Sequence, residues 1–211
     1  MRVFSTLAVA GLLRPLLDDV VFEPTISLLA RIEAGEPADL AFLTQEAVAA
    51  LCASGVLTEP RDVARSFVGM AVPAGAPRPD ISTVALLRET LLAAPSLAYS
   101  RAGASGIFFA GLIERLGIAE AVNAKATIIP QGFTAALAAR GDVALAVQQV
   151  SELMAVAGVD LVGRLPEGAN VAAMFSAGIF VQAQPGAAAA LERLMEALDP
   201  AALAAAGLES P

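Results

Sequence analysis

The sequence predicts an α/β protein of two lobes, each with a mostly parallel sheet flanked by helices. Short apolar runs alternate with amphipathic segments along the chain, and this alternation is typical of parallel strands joined by helices. Hydrophobic residues make up 57% of the 211 residues and charged residues 16%, so a large core is available. Two segments rich in Pro and Gly, "PAGAPRPDIST" and "LPEGAN", interrupt the alternation and are interpreted as linkers between the lobes.

The linkers set the expected extent of each lobe. Lobe I comprises residues 1–75 and 172–211, and lobe II comprises residues 76–171. The pattern predicts strands at residues 3–4, 20–22, 40–43, 66–72, 97–99, 143–147, 160–162 and 172–181. It predicts helices at residues 8–17, 25–35, 45–55, 106–116, 135–140, 150–154 and 187–198, and a further helix that begins at residue 80 or 82 and ends at residue 94. A ligand is expected between the lobes, at the carboxyl ends of the strands, where helix N-termini point.

Composition excludes several classes of function. The net charge of -8 argues against a nucleic-acid partner, which needs clustered Lys and Arg. With no histidine and one cysteine, Cys52, the chain cannot form a Ser-His-Asp triad or an internal disulfide, and no metal or other cofactor is expected. Nearly all the positive charge is arginine, which suits the bidentate recognition of carboxylates.

No membrane insertion is expected from the sequence. The longest uncharged stretch, residues 168–191, contains Asn170, Gln182 and Pro185 and therefore does not predict a spanning helix. The opening "MRVFSTLAVAGLLRPLL" is interpreted as a first strand and helix rather than a signal peptide. The expected location is therefore cytoplasmic, or periplasmic if a leader has been trimmed away.

Five segments spread nearly from end to end carry a resemblance to a known family. They are "VFSTLAVAGLL", "EPTISLLARIEAGEPADLAFLT", "VGMAVPAGAPRPDIST", "LAYSRAGASGIFFAGLIERLGI" and "VALAVQQVSELM". In order and spacing the chain resembles the type 2 periplasmic binding fold. Within that fold it is similar to the molybdate-binding-protein-like solute-binding proteins, whose relatives include aconitate isomerase. The resemblance implies two α/β lobes, a two-strand hinge and a small anion, an oxyanion or a carboxylate, in the cleft.

The chain departs from that family at two turns. Oxyanion binders of the family usually carry paired serines in the first strand–helix turn, where this chain has Ser5 and Thr6. The segment after the lobe II strand reads Gln148-Gln149-Val150-Ser151 instead of an acidic or tyrosine-bearing one. These departures argue against molybdate and towards a carboxylate. The resemblance then implies a soluble binding protein for a small anion or, alternatively, a cofactor-free isomerase of a di- or tricarboxylate.

The segment "YSRAGASG" is the strongest candidate for anion binding. Ser100, Arg101, Ser105 and Gly106 follow a buried strand and open a helix, where backbone N–H groups attract anions. Glycine at 106 lets the backbone approach a ligand closely, and Arg101 can pair with a carboxylate. The alternative interpretation is a surface loop with a solvated arginine.

Six further polar residues are candidate ligand-binding residues because they end predicted strands or begin helices. They are Ser5, Thr6, Thr25, Thr44, Gln148 and Gln149. The hydroxyl residues have an alternative role as ordinary helix N-caps, and this role is favoured for Thr25. Adjacent glutamines at a strand end point to opposite faces, so at most one of the pair is expected to face the ligand.

An isomerase that moves a proton next to a carboxylate needs a base placed over the acidic C–H group. Without histidine, the candidates are Glu23, Tyr99 and Glu152. Tyr99, the only tyrosine, is more readily explained as a core anchor. The sequence leaves open whether the protein catalyses a reaction, and it does not predict an oligomeric state.

Overall fold

The computed structural model describes residues 1–211, which form nine strands and ten helices. The strands are β1 Val3–Ser5, β2 Val20–Phe22, β3 Leu40–Thr44, β4 Leu57–Pro73, β5 Leu97–Ser100, β6 Ala126–Ile129, β7 Leu145–Gln149, β8 Val159–Arg164 and β9 Ala172–Phe180. The helices are α1 Ala10–Leu13, α2 Thr25–Glu33, α3 Gln45–Ala53, α4 Val84–Ala93, α5 Ala104–Arg115, α6 Ala119–Asn123, α7 Ala135–Ala139, α8 Val150–Met154, α9 Ala187–Glu196 and α10 Pro200–Ala205. None of the helices has the length and apolar character needed to cross a bilayer.

The chain divides into two compact units. Unit 1 comprises Met1–Ser66 and Ala173–Pro211, and unit 2 comprises Phe67–Ala172. The chain passes from one unit to the other within β4 and again at the start of β9.

The sheet of unit 1 is built around three parallel strands. β1 pairs in parallel with β2 and β3, and β9 pairs antiparallel with β3. Successive residues of β3 point to opposite faces: Leu40 and Phe42 pack with α1, α9 and α10, whereas Ala41 and Leu43 pack with α2 and α3. Helices therefore cover both faces, and the carboxyl ends of β1, β2 and β3 meet at one edge.

The sheet of unit 2 is likewise built around three parallel strands. β5 pairs in parallel with β6 and β7, while β4 pairs antiparallel with both β7 and β8. Leu97 and Tyr99 of β5 pack in one apolar cluster with α4 and α5, and Ala98 packs in the other with α7. The carboxyl ends of β5, β6 and β7 lie at one edge of the sheet, where the strand–helix turns follow.

Two expected elements differ markedly from the structure. The predicted helix at residues 8–17 is a 3₁₀ turn, Leu7–Val9, followed by the single turn α1, because Gly11 and Pro15 weaken a longer helix. The strand expected at residues 66–72 begins much earlier, at Leu57. Its first half is charged and exposed, so it lacks the apolar pattern that predicts a strand.

The predicted N-cap at Thr25 is also wrong. Pro24 holds the capping position in an extended conformation, and its carbonyl accepts the first helical hydrogen bonds from Ser27 and Leu28 at 2.9 and 3.1 Å. Proline has no N–H to satisfy and a fixed φ, so it serves at a helix start without a side-chain cap. Thr25 is the first helical residue of α2.

Candidate functional site

The turn after β5 contains a buried hydroxyl without a hydrogen-bond partner. Ser100, the last residue of β5, is 2% exposed, and its Oγ has neither a donor nor an acceptor within reach. A hydroxyl that is buried and unpaired costs free energy comparable to a lost hydrogen bond. In native folds such a group is normally satisfied by an ordered water or a ligand.

Two glycines leave room around this hydroxyl. A Cβ at Gly106 would lie 1.7 Å from the carbonyl oxygen of Ser100, which no real side chain tolerates. A Cβ at Gly103 would lie 2.8 Å from Ser100 Oγ and 3.8 Å from Ser105 Oγ. Glycine at both positions therefore lets the N-terminus of α5 pack directly over the end of β5, with the two serine hydroxyls close by.

The same turn presents backbone donors. Gly103 is the N-cap of α5 and offers no side chain, while the N–H groups of Gly106 and Ile107 are taken by the carbonyl of Gly103 at 3.0 Å. The N–H groups of Ala104 and Ser105 belong to the first helical turn and have no helical acceptor. A twelve-residue helix such as α5 also carries partial positive charge at this end, which favours an anion.

Arg101 supplies a full positive charge beside these donors. Its backbone N–H bonds to the carbonyl of Ile129 at 2.8 Å and so ties the turn to the end of β6. Its side chain is exposed and takes part in no ion pair of the structure. The guanidinium is therefore available to pair with a carboxylate from solution.

Gln148 has a structural task that the sequence did not reveal. Its Oε1 accepts hydrogen bonds from the N–H and Oγ1 of Thr134 at 2.8 and 2.9 Å, and its Nε2 donates to the carbonyl of Gly132 at 2.8 Å. Gln148 thereby fastens the segment "QGFT", residues 131–134, to the end of β7. The signal missed in the sequence was this segment, a Gly-containing turn that follows the apolar strand "ATII".

Gln149 and Glu152 lie at the junction of β7 and α8. Both side chains are buried, with exposures of 2% and 6%, and each carries one oxygen, Oε1 of Gln149 and Oε2 of Glu152, without a hydrogen-bond partner. Burial raises the pKa of the Glu152 carboxyl to about 8, although hydrogen bonds from the Gln149 backbone and the Gln148 side chain act to lower it. Glu152 is therefore mostly a neutral carboxylic acid at pH 7.

Tyr99 and Glu23 are engaged elsewhere. The Tyr99 hydroxyl donates to Asn123 Oδ1 at 2.7 Å, its ring packs edge-on against Phe109, and burial raises the pKa of its hydroxyl. Glu23 accepts two hydrogen bonds from Arg31, at 2.6 and 3.0 Å, and these lower the pKa of its carboxyl. Of the three candidate bases, only Glu152 has a pKa close to neutral pH.

The hydroxyl residues of unit 1 gather at one edge of its sheet. Ser5 is fully buried and donates to the carbonyl of Thr6 at 3.0 Å, while the Thr6 N–H bonds to the carbonyl of Phe42 at 2.8 Å. Because Ser5 pairs with Phe42, Thr44 lies just beyond it on the neighbouring strand. The side chains of Thr6 and Thr44 cap no N–H group, although both residues precede helical turns.

The structure thus brings the candidates together in two groups, one in each unit. Unit 1 collects Ser5, Thr6, Thr25 and Thr44 at the carboxyl ends of β1, β2 and β3. Unit 2 collects Ser100, Arg101, Ser105, Gly106, Gln148, Gln149 and Glu152 at the carboxyl ends of β5 and β7. Only the unit 2 group contains both a free cationic side chain and buried polar atoms without partners.

Two pockets inside the units have a different character. A pocket of about 490 Å³ in unit 1 is flanked by the carboxylates of Glu46 and Asp62, which disfavour an anion. A pocket of about 600 Å³ in unit 2 lies at the amino ends of β5 and β7 and is lined mainly by proline and alanine. No group of three or more Cys, Asp or Glu side chains is arranged to hold a metal ion.

Comparison with known proteins identifies the family. Residues 19–207 match the family of bacterial extracellular solute-binding proteins. The chain belongs to that family. Its members bind small-molecule ligands, so the sequence-based expectation of a ligand-binding protein is confirmed at this level.

A curated relative extends the comparison. The chain is 38% identical over 175 residues to the aconitate isomerase of a Pseudomonas species. The match covers 81% of this chain and 66% of that protein, so it spans just under two thirds of the relative's length.

Solved structures confirm the predicted fold. The periplasmic molybdate-binding protein of Azotobacter vinelandii is similar with a TM-score of 0.77 and 17% identity, covering 100% of this chain and 99% of that chain. Peb3 from Campylobacter jejuni is similar with a TM-score of 0.70 and 10% identity, covering 100% of both chains. This family member therefore has the type 2 periplasmic binding fold.

Proposed function

We propose that this protein binds a small di- or tricarboxylate, and that the turn from Ser100 to Gly106 supplies the main contacts to one carboxylate. The observation that carries the proposal is the buried, unpaired hydroxyl of Ser100 beneath the open N-terminus of α5. Arg101 adds a fork of N–H donors whose geometry suits a planar carboxylate. The hydroxyl and N–H donors neutralise the anion without a metal.

A carboxylate is favoured over molybdate by the similarity to a relative that is named for one. Arg101 provides a planar fork of donors that can bind a carboxylate bidentately. The relative with 38% identity is named for a tricarboxylate substrate, aconitate. In unit 1, Ser5, Thr6, Thr25 and Thr44 stay predicted ligand-binding residues.

Isothermal titration calorimetry with cis-aconitate, trans-aconitate, citrate and molybdate tests this proposal. At least one carboxylate is expected to bind, and Arg101→Ala is expected to weaken it by about 2–5 kcal/mol because one carboxylate loses its partner. Arg193→Ala removes another exposed arginine and serves as the control. Binding of molybdate alone, or unchanged affinity in Arg101→Ala, would contradict the proposal.

A second candidate function is the isomerisation of such a carboxylate by a proton shift. It is favoured by the similarity to an aconitate isomerase and by Glu152, a buried carboxyl with a pKa of about 8. A group with this pKa both removes and returns a proton near neutral pH, as a general acid–base catalyst must. Glu23 and Tyr99 are poorer candidates because each already has a strong hydrogen-bond partner.

Incubation of cis-aconitate with the protein in deuterated water tests the isomerase function. Proton NMR is expected to show trans-aconitate and deuterium incorporation, with the rate reduced roughly 10²–10⁴-fold in Glu152→Gln. Binding without exchange over many hours would leave a binding protein. Exchange that survives in Glu152→Gln would assign the base to another residue.

A further inference from the structure

We propose that Glu152 is a specificity-determining residue of this site: its neutral carboxylic acid donates a hydrogen bond from Oε2 to an oxygen of the bound carboxylate. The proposal rests on the carboxylate-binding function above, applies to a binding protein rather than to an isomerase with Glu152 as its base, and adds a prediction that this function does not make. Ligand binding should be linked to the presence of one proton on Glu152.

Glu152 lies in the first turn of α8. Gln149 is the N-cap of α8, and Glu152 stands three residues later, where its carboxyl accepts a hydrogen bond from the Gln149 backbone. That bond, with the one from the Gln148 side chain, holds the carboxyl at the strand-end edge of unit 2. The other carboxyl oxygen, Oε2, stays buried without a partner.

Leaving Oε2 of Glu152 unpaired costs free energy, and the cost depends on whether the carboxyl is ionised. An ionised oxygen buried without a donor is far more costly than a neutral hydroxyl buried without an acceptor. The fold therefore keeps the proton on Glu152 until an acceptor arrives. A carboxylate ligand is such an acceptor, whereas an ionised Glu152 would repel it.

The unpaired polar atoms of unit 2 cluster in one region. Ser100 Oγ, Gln149 Oε1 and Glu152 Oε2 are all buried, and they lie at or just after the ends of the adjacent strands β5 and β7. A half-turn of the Gln149 amide exchanges its oxygen for its NH2 group, so it presents a donor or an acceptor as required. One ligand at this edge would satisfy all three groups.

Charged neighbours do not explain the state of Glu152. The elements packed against α8 include β7, which has no titratable residue, and β4, which approaches α8 at the uncharged Gly69. They also include β8, which carries Asp160 and Arg164. Asp160 accepts a hydrogen bond from the Gly75 N–H and faces Arg78, and the Arg164 guanidinium stacks over a Phe67 ring. Neither charge contributes to the shifted pKa of Glu152, which arises from burial.

Calorimetric titration of trans-aconitate between pH 6.5 and 9.5 tests the proposal, because the carboxyls of this probe stay ionised over that range. Below about pH 8 the dissociation constant should be nearly constant. Above it the constant should rise, approaching roughly tenfold per pH unit, since each binding event must then return a proton to Glu152. At pH 9 the binding heat should differ between two buffers of different ionisation enthalpy, which reports that proton directly.

Variants complete the test. Glu152→Gln keeps a donor but cannot ionise, so its affinity should no longer change between pH 7 and 9.5. Glu120→Gln removes an exposed carboxyl on α6 of the same unit and should keep the wild-type pH profile. If Glu152→Gln does not fold, as judged by circular dichroism, the proton uptake measured with the wild-type protein still tests the proposal.

The outcomes separate this proposal from the proposed function. Binding of trans-aconitate with a pH-independent affinity and no proton uptake would overturn the role of Glu152 and leave carboxylate binding intact. A pH profile that is unchanged in Glu152→Gln would also overturn it. If trans-aconitate does not bind at any pH while molybdate does, both the carboxylate-binding function and the inference fail.

Discussion

The tight approach between α5 and the end of β5 makes Gly106→Ala the most informative single substitution. Gly106 has an ordinary helical backbone, so alanine is allowed by its φ and ψ and would favour the helix. The added Cβ would nevertheless lie 1.7 Å from the Ser100 carbonyl oxygen and 2.8 Å from Ser100 Oγ. The first of these atoms is backbone, which cannot rotate away as a flexible side chain would.

The expected cost follows from two opposing effects. Replacing glycine by alanine inside a helix contributes about 0.5–1 kcal/mol of stability. Relieving the contact requires α5 to move away from β5 by roughly 1 Å or more, and overpacking of this kind costs about 1–3 kcal/mol or more. We expect the clash to dominate, with a net loss of about 2 kcal/mol in the free energy of unfolding.

Gly111→Ala provides a matched control in the same helix. A Cβ at Gly111 would meet only the Arg115 side chain, at 3.4 Å, and that flexible group can move. Urea denaturation should therefore show Gly111→Ala at or above wild-type stability and Gly106→Ala below it, a difference of about 3 kcal/mol. Calorimetry should show weaker carboxylate binding only in Gly106→Ala, because the widened turn separates Ser100 from the N–H groups of α5.

Two results would refute this reasoning. Equal stability of the two variants would mean that α5 does not pack against β5 as closely as the structure has it. Normal stability together with normal ligand affinity in Gly106→Ala would remove the basis for placing the anion at this turn.

Three further predictions follow from the buried polar groups. Because burial raises the pKa of Glu152 from 4.5 to about 8, the folded protein holds a proton that the unfolded chain releases, so the free energy of unfolding should fall as the pH rises from 4.5 to 8. Compared with Glu152→Gln by urea denaturation at pH 5 and pH 8, wild type should lose about 3–4 kcal/mol between the two pH values, and an equal response of both proteins would contradict the shift. Gln148→Leu leaves the Thr134 N–H and the Gly132 carbonyl unpaired, whereas the Thr134 hydroxyl keeps the Val147 carbonyl as an acceptor. The substitution should cost about 3 kcal/mol, measured in the same way, and a loss below about 1 kcal/mol would show that the segment is held by other contacts. Tyr99→Phe removes the hydrogen bond to Asn123 and should cost about 1 kcal/mol without changing carboxylate affinity, whereas lost affinity in calorimetry would return Tyr99 to the site.

The turn at Ser100 could be predicted because its signals are local. Glycines at 103 and 106 after a buried strand indicate a close approach of helix and strand, and the structure has that approach. The parallel α/β fold could also be predicted, since apolar runs and helical stretches alternate throughout the chain. Both depend on residues that are neighbours in the sequence.

The roles of Gln148 and Glu152 could not be predicted in the same way. Gln148 is fastened to Thr134, fourteen residues earlier, and only the folded sheet brings these residues together. Glu152 stands on a five-residue helix, where a carboxylate is normally solvated; its burial depends on the packing of α8 against β7 and β8. Long-range packing of this kind leaves no periodic pattern in the sequence.

The buried carboxyl of Glu152 gives this protein an intrinsic spectroscopic reporter. A protonated carboxyl has an infrared carbonyl stretch that is separate from the amide bands, and its frequency depends on the hydrogen bonds it donates and accepts. The chain has no histidine to titrate in the neutral range. Difference spectra recorded with and without a ligand would therefore follow the protonation and hydrogen bonding of the Glu152 carboxyl, in the unmodified protein and without any attached label.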